Sequence, residues 1–256
     1  MNDLLEIEHR GPIAVVRLNR PDKRNALNDA LVLGLRRLWE VMPSTVRVVV
    51  LGANGAHFSA GLDLGELRER DPGEGLLHSR MWHEALNTIQ YGPCPVIAAL
   101  HGAVVGGGLE LAATCHIRVA DETAYYALPE GARGIFVGGG GSVRIPKLIG
   151  VSRMTDMMLT GRVYDAREGE RVGFSQYVVQ EGQALERALE LADKVTSNAP
   201  LSNYAITQAL PRIAEQSSDH GYMTEALMTA VTQSAPEAKK RVQDFLAGRA
   251  ERVRAA

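Results

Sequence analysis

The chain has little cysteine, little net charge and no long apolar run, and each shortage removes a class of protein. Its two cysteines, Cys94 and Cys115, are too few for a disulfide framework or a thiolate metal cluster. Both lie in apolar surroundings, which points to reduced core residues of an intracellular, cytoplasmic protein. A formal net charge of −2 offers no field for nucleic acid or an anionic membrane, so neither is expected as a partner. No stretch approaches the roughly 20 apolar residues of a membrane span. The opening residues Met1, Asn2, Asp3, Leu4, Leu5 and Glu6 include acidic groups and no apolar run, so no signal or transit peptide is expected there. No repeat of fixed period and no low-complexity segment stands out.

What is present suits a globular fold. A length of 256 residues, 45% of them hydrophobic, is enough for one large domain or two small ones with a sizeable core. Residues 4–9 and 13–18 are β-type runs split by Arg10, Gly11 and Pro12, a hairpin signal. A polar loop follows over 19–27. Asn28 can then cap a helix over 29–42, on which Leu31, Leu35, Leu38 and Met42 share one face. Residues 46–51 are almost all apolar, as in a strand buried on both faces. Residues 70–77 read as a mobile loop and 76–91 as a helix bearing Met81, Trp82 and His83. The Trp82 and His83 pair fits either the core or a pocket wall. A short strand is expected at 117–120. From residue 151 the chain reads as helices over 151–160, 166–172, 183–197, 202–214, 221–232 and 236–246, with a short strand at 176–179. A composition shift near residue 200 divides a core, 1–199, from a helical region, 200–256, whose small and apolar faces suit another subunit.

The chain is organised around residues 95–114. An apolar run, 96–100, crosses His101 and Gly102, reaches Gly106, Gly107 and Gly108, and continues into an apolar helical segment over 109–115. That is a strand, a glycine turn and a helix start. A helix start presents unpaired N–H groups at the positive end of the peptide dipoles, and glycine lets a ligand approach them. Glu110 lies in the first turn, so an oxyanion site and a carboxylate stand side by side; tight packing and a dipole preference alone would also account for these residues. The spacing is not the G-x-G-x-x-G of a dinucleotide fold. Phe58, Ser59, Ala60, Gly61, Leu62 and Asp63 repeat the plan, and two such starts can aim one N–H each at a common point. Glu130, after Pro129 and before Gly131, interrupts an apolar segment and suits a turn at the edge of the core, where a raised pKa allows acid–base work. The run Gly138, Gly139, Gly140, Gly141 opens a further helix over 143–149.

Taken together, Arg20 and Pro21 with Asn25, Ala26 and Leu27, then residues 58–63, then Gly106 to Glu110, then Pro129 and Glu130, are similar in order and spacing to the crotonase superfamily. The resemblance is closest to its enoyl-CoA hydratase branch and covers residues 4–250. It implies an α/β fold with a ββα spiral core, and a C-terminal helical region that makes homotrimers, often paired as hexamers, and covers the active site. It also implies an oxyanion hole for an acyl-CoA thioester from the N–H groups of Leu62 and Gly107, worth roughly 3–4 kcal/mol per donor. The main chain around Ala26, Ala60 and Asp63 matches adenine and pantetheine contacts. Lys23 or Arg24 matches a phosphate contact, and Phe245 a residue that covers the nucleotide of a neighbouring subunit.

Side chains choose among the superfamily's reactions. Hydratases carry two glutamates, matched by Glu110 and Glu130. Isomerases commonly keep only the second. Dienoyl-CoA isomerases and dehalogenases carry an aspartate where this chain has Gly138, which leaves the pocket wall without a nucleophile. Trp82 and His83 fall on the helix that often lines the acyl pocket, and an aromatic or branched acyl group fits the departures around Gly131. The resemblance thus implies hydration of a trans-2-enoyl-CoA with no metal or redox cofactor; coenzyme A belongs to the substrate. The alternatives are an enoyl-CoA isomerase and a non-catalytic acyl-CoA- or RNA-binding member.

Overall fold

The computed structural model describes residues 3–66 and 69–249. Met1 and Asn2, at the end read for a leader, and residues 250–256 of the helical region lie outside it. The chain divides into two units, Met1–Val195 and Thr196–Ala256.

The first unit begins with the expected hairpin, β1 (Leu5–Arg10) and β2 (Ile13–Leu18). It continues through α1 (Asp29–Glu40), β3 (Val48–Ala53), α2 (Pro72–Gln90), β4 (Val96–Leu100), β5 (Ala103–Val105), α3 (Gly107–Ala112), β6 (Ile117–Asp121) and β7 (Tyr125–Ala127). Then come α4 (Gly141–Ile149), α5 (Val151–Thr160), β8 (Tyr164–Asp165), α6 (Ala166–Val172), β9 (Tyr177–Val179) and α7 (Ala184–Thr196). Six strands form one sheet in the order β1-β2-β3-β4-β6-β9, parallel except for the hairpin, and β5-β7-β8 form a second. Parallel neighbours joined through helices make this an α/β core.

The period-2 alternation of the strands sorts the core. Ala14, Val16, Leu18, Val49, Leu51, Val96, Ala98 and Leu100 face one way, with Leu31, Leu35, Trp82, Leu86 and Ile89 from the helices. Ile13, Val15, Val48, Val50, Ile97, Ala99 and Val119 face the other, against Ala184, Ala188, Leu191 and Ala192 of α7. A sheet buried on both faces explains why residues 46–51 show no polar alternation.

Three expectations are corrected. Residues 70–77 are not a loop throughout: α2 begins at Pro72, because the Asp71 side chain accepts a hydrogen bond from the Glu74 N–H and the Glu74 side chain accepts one from the Asp71 N–H. The stretch after Gly61 is no α-helix start: Leu62 forms an isolated parallel bridge with Leu27, and only a 3₁₀ turn, Leu64–Glu66, follows. The helix expected over 202–214 is interrupted by a π-helical stretch, Ala205–Ala209, between Pro200–Tyr204 and Leu210–Ile213. The strands β5, β7 and β8 were also unforeseen; three or two residues carry too little alternation to read.

The second unit continues with helices Ser218–Ser234 and Pro236–Leu246. Its exposed apolar side chains include Ile206, Leu210, Tyr222, Met223, Leu227 and Phe245. Among the described residues no helix is long and apolar enough to cross a membrane.

Candidate active site

Main-chain pairing assembles the site. Ser59 bridges Val104 of β5, donating its N–H to the Ala103 carbonyl at 2.9 Å and accepting from the Val105 N–H at 3.1 Å. Leu27 donates to the Gly61 carbonyl at 2.7 Å, and the Asp63 N–H donates to the Leu27 carbonyl at 2.8 Å. A parallel bridge of that pattern uses the residues on either side of Leu62 and turns the Leu62 N–H away from its strand partner. Gly107 is the first residue of α3, where an N–H has no acceptor inside the helix.

The two N–H groups come together because Gly61 has no side chain. Its φ is +92°, and a Cβ there would lie 2.7 Å from the Val105 carbonyl oxygen and 3.3 Å from the Gly107 nitrogen. Leu62 N also lies 3.5 Å from the place where a Gly107 Cβ would stand. The two donors are therefore neighbours, one from a bridge and one from a helix start.

Two parallel strands deliver the carboxylates. β5 pairs with β7 in the register Val105 with Ala127, and the Gly106 N–H donates to the Ala127 carbonyl at 2.9 Å. The chain after β5 enters α3 and reaches Glu110; the chain after β7 passes Pro129 and reaches Glu130, which heads the 3₁₀ turn Gly131–Arg133. A Cβ on Gly106 would lie 2.6 Å from Glu130 Oε1, so glycine is needed for the two elements to close.

Glu110 is 3% exposed and Glu130 7%. Desolvation pushes both carboxyls above the usual range, but they are partnered differently. Glu110 Oε1 accepts the N–H groups of Gly139 at 2.8 Å and Gly141 at 2.7 Å, which favour its ionised form. The buried Arg144 adds a positive charge, and it holds this glycine loop by donating to the Gly139 carbonyl at 2.9 Å. Arg144 is itself fixed by Gln90 and Asn87 of α2. Glu130 is less well supported: its own N–H and the charge of Arg133 favour ionisation, but its Oε2 is buried without a hydrogen-bond partner, and the charge of Glu110 opposes ionisation. Of the pair, Glu130 is the better proton holder.

Leu62, Gly107, Glu110 and Glu130 all line one cavity of about 410 Å³. Trp82 and Gly138 line it as well, and Ser79 Oγ donates to the Gly138 carbonyl at 2.7 Å. His83 is not among the lining residues; its Nε2 lies 3.3 Å from Ser79 Oγ. His78 and Arg70 line the cavity instead. Both are new to the site: His78 lies inside the helix expected from the sequence but on a face not singled out there, and Arg70 precedes the helix in a stretch read as loop; counting back from Trp82 by three, four and seven reaches Ser79, His78 and Gly75 on one helical face. His78 Nε2 lies 2.7 Å from Asp29 Oδ1, which also accepts from Trp82 Nε1 at 2.9 Å.

The remaining candidates sit around the loop before α1. Asn25, at φ +52°, is wholly buried and donates to the carbonyls of Asn54 and His57. Ala60 N–H donates to the Arg24 carbonyl, and Ala26 N–H to that of Lys23. Lys23 and Arg24 are exposed at the turn. Asp63 is engaged by its side chain: Arg20 reaches its Oδ2 at 2.7 Å, and that hydrogen bond holds the carboxyl below its usual range. Phe245 is exposed on the last helix of the second unit. A separate hollow of about 390 Å³, lined by Arg17, His101, Asp121 and Glu181 among others, contains none of these candidates.

Comparison with known proteins finds one family. The enoyl-CoA hydratase/isomerase family description matches residues 8–252. The 2,3-dehydroadipyl-CoA hydratase of Escherichia coli is 32% identical over 96% of each chain. A crystal structure from Rhodopseudomonas palustris, provisionally described as an enoyl-CoA hydratase, is 58% identical with a TM-score of 0.93, over 96% of this chain and 95% of that one. Pseudomonas aeruginosa DspI superimposes at a TM-score of 0.91 and 30% identity, over 99% and 97%.

The burial of Glu130 has a consequence for stability. A carboxyl whose folded pKa lies above its unfolded value stabilises the fold at pH below the unfolded value, and loses that contribution as pH rises through the folded one. Glu130→Gln should therefore melt higher than wild type near about pH 8, by about 2–4 °C for each 1 kcal/mol relieved. The gap should close near about pH 4, where an ordinary glutamate is protonated. Calorimetry across that range checks it; a variant that melts lower at high pH contradicts the environment assigned to Glu130.

Proposed function

The chain belongs to the enoyl-CoA hydratase/isomerase family, and from that premise we propose that it is an enoyl-CoA hydratase. It adds water to a trans-2-enoyl-CoA, giving a 3-hydroxyacyl-CoA, and runs the reverse dehydration. The observation that carries the reading is the pair of buried carboxylates, on different elements, in one cavity with two main-chain N–H donors.

The thioester oxygen accepts from the N–H groups of Leu62 and Gly107, which stabilise the negative charge it gains as water adds. Glu110, with Oε1 occupied by Gly139 and Gly141, holds the water through Oε2 and takes a proton from it as the oxygen bonds to C3. Glu130 gives its proton to C2. The two carboxyls exchange a proton before the next cycle. The oxidation level of the system does not change, so no redox cofactor is required, and the N–H pair supplies the polarisation a metal would otherwise provide. Exposed Lys23 and Arg24 meet coenzyme A phosphates, and the main chain around Ala26, Ala60 and Asp63 meets adenine and pantetheine.

Each positioned acid or base is commonly worth about 10²–10⁴ in rate. Glu110→Gln should cut hydration by that order while leaving some deuterium exchange at C2 of a β,γ-unsaturated thioester in heavy water. Glu130→Gln should remove both. Normal hydration by Glu110→Gln would replace this reading with double-bond isomerisation through Glu130.

The exposed apolar residues of the helical unit support assembly as a trimer or a multiple of three, with Phe245 of one subunit over the nucleotide of another. Light scattering should give a mass of three or six chains; a stable monomer at micromolar concentration rejects the assembly.

A further inference from the structure

One end of the cavity carries a charge that hydration does not use. The thioester end is marked by Trp82, whose ring lies 3.5 Å from where a Gly107 Cβ would stand. From there α2 runs along the wall, contributing Ser79, His78 and Gly75, and Arg70 lies just before its start. Between Trp82 and Pro72 the helix rises about 15 Å, so Arg70 belongs to the end away from the N–H pair. Ile135, Phe136 and Val137 provide apolar wall.

Arg70 forms no hydrogen bond or ion pair with a described residue. It is attracted through space to Asp29, which is not part of the wall and is already held by His78 and Trp82. Burial works against ionising Asp29, but the two hydrogen bonds and the neighbouring charges outweigh it, so a carboxylate anchors His78 from behind. A neutral acyl tail that filled this end would strip water from a guanidinium and give nothing in return. A carboxylate there would accept two parallel N–H bonds from it.

We propose that the acyl group ends in a second carboxylate: the site takes a trans-2-enoyl-CoA with an acid group at its far end, bound by Arg70 with His78 beside it. This rests on the hydratase reading and names its substrate class. A volume of about 410 Å³ admits an extended medium-length chain.

Saturated thioesters cannot be hydrated, so their binding tests the inference apart from catalysis. Calorimetric titration would compare suberyl-CoA with octanoyl-CoA, and adipyl-CoA with hexanoyl-CoA. Wild type should bind at least one dicarboxylyl thioester about tenfold more tightly than its partner, less so as salt rises. Arg70→Gln should erase the difference, and Arg70→Lys, which keeps the charge but not the paired N–H groups, should keep only part of it. Equal affinities in wild type overturn the proposal. So does an Arg70→Gln variant that weakens both members of a pair alike, as a contact to a coenzyme A phosphate would. Turnover of crotonyl-CoA and of the matching trans-2-enoyl thioesters is followed in parallel. A binding preference without turnover would reject hydration and leave the carboxylate site standing; turnover without preference would do the reverse.

Discussion

The structure depends on one close approach of main chains, where the bridge at Ser59 lays residues 59–62 against the end of β5. Nothing larger than a hydrogen fits at Gly61, because the Val105 carbonyl already occupies the space a Cβ would need. The approach makes neighbours of two N–H groups from distant parts of the chain. Both are rigid, one in a strand bridge and one at a helix start, so they need little reorganisation when negative charge develops beside them. The buried Asn25 serves the same end by tying the loop before α1 to residues 54 and 57.

Around that fixed pair the carboxylates are made unequal. Both are buried, and burial alone would leave two neutral acids. The glycine loop after residue 137 offers its N–H groups to Glu110 only, and Arg144 buttresses that loop from the far side. Glu130 receives less support, from its own N–H and the charge of Arg133, and feels the charge of Glu110. A base and an acid thus arise from the same residue type, and the glycines that looked like a simple helix entry are what separates them.

Much of this was legible in the sequence. The Gly106 to Glu110 stretch announced a helix start with a carboxylate in its first turn, and β4 was bounded to the residue because its run is wholly apolar. Glu130 stood out because an acid interrupted an apolar segment. Other features were hidden for physical reasons. β5 and β7 are three residues each, too short for periodicity, yet their pairing brings the two glutamates together. The role of Arg144 depends on partners more than fifty residues away. His78 shares a helix with His83, and only the packing of that helix decides which of the two faces the cavity; Arg70 lies before the helix, where no periodicity assigns it a face.

The account turns on the Leu62 and Gly107 N–H groups polarising a thioester carbonyl. Isotope-edited infrared spectroscopy of a carbonyl-labelled enoyl-CoA, bound to the Glu110→Gln variant so that it persists, reads that polarisation directly. Two aligned donors should move the carbonyl band clearly below its frequency in water, and the shift should survive the loss of Glu110 because the donors are main chain. A bound carbonyl that absorbs at its aqueous frequency would contradict the oxyanion site and the mechanism built on it.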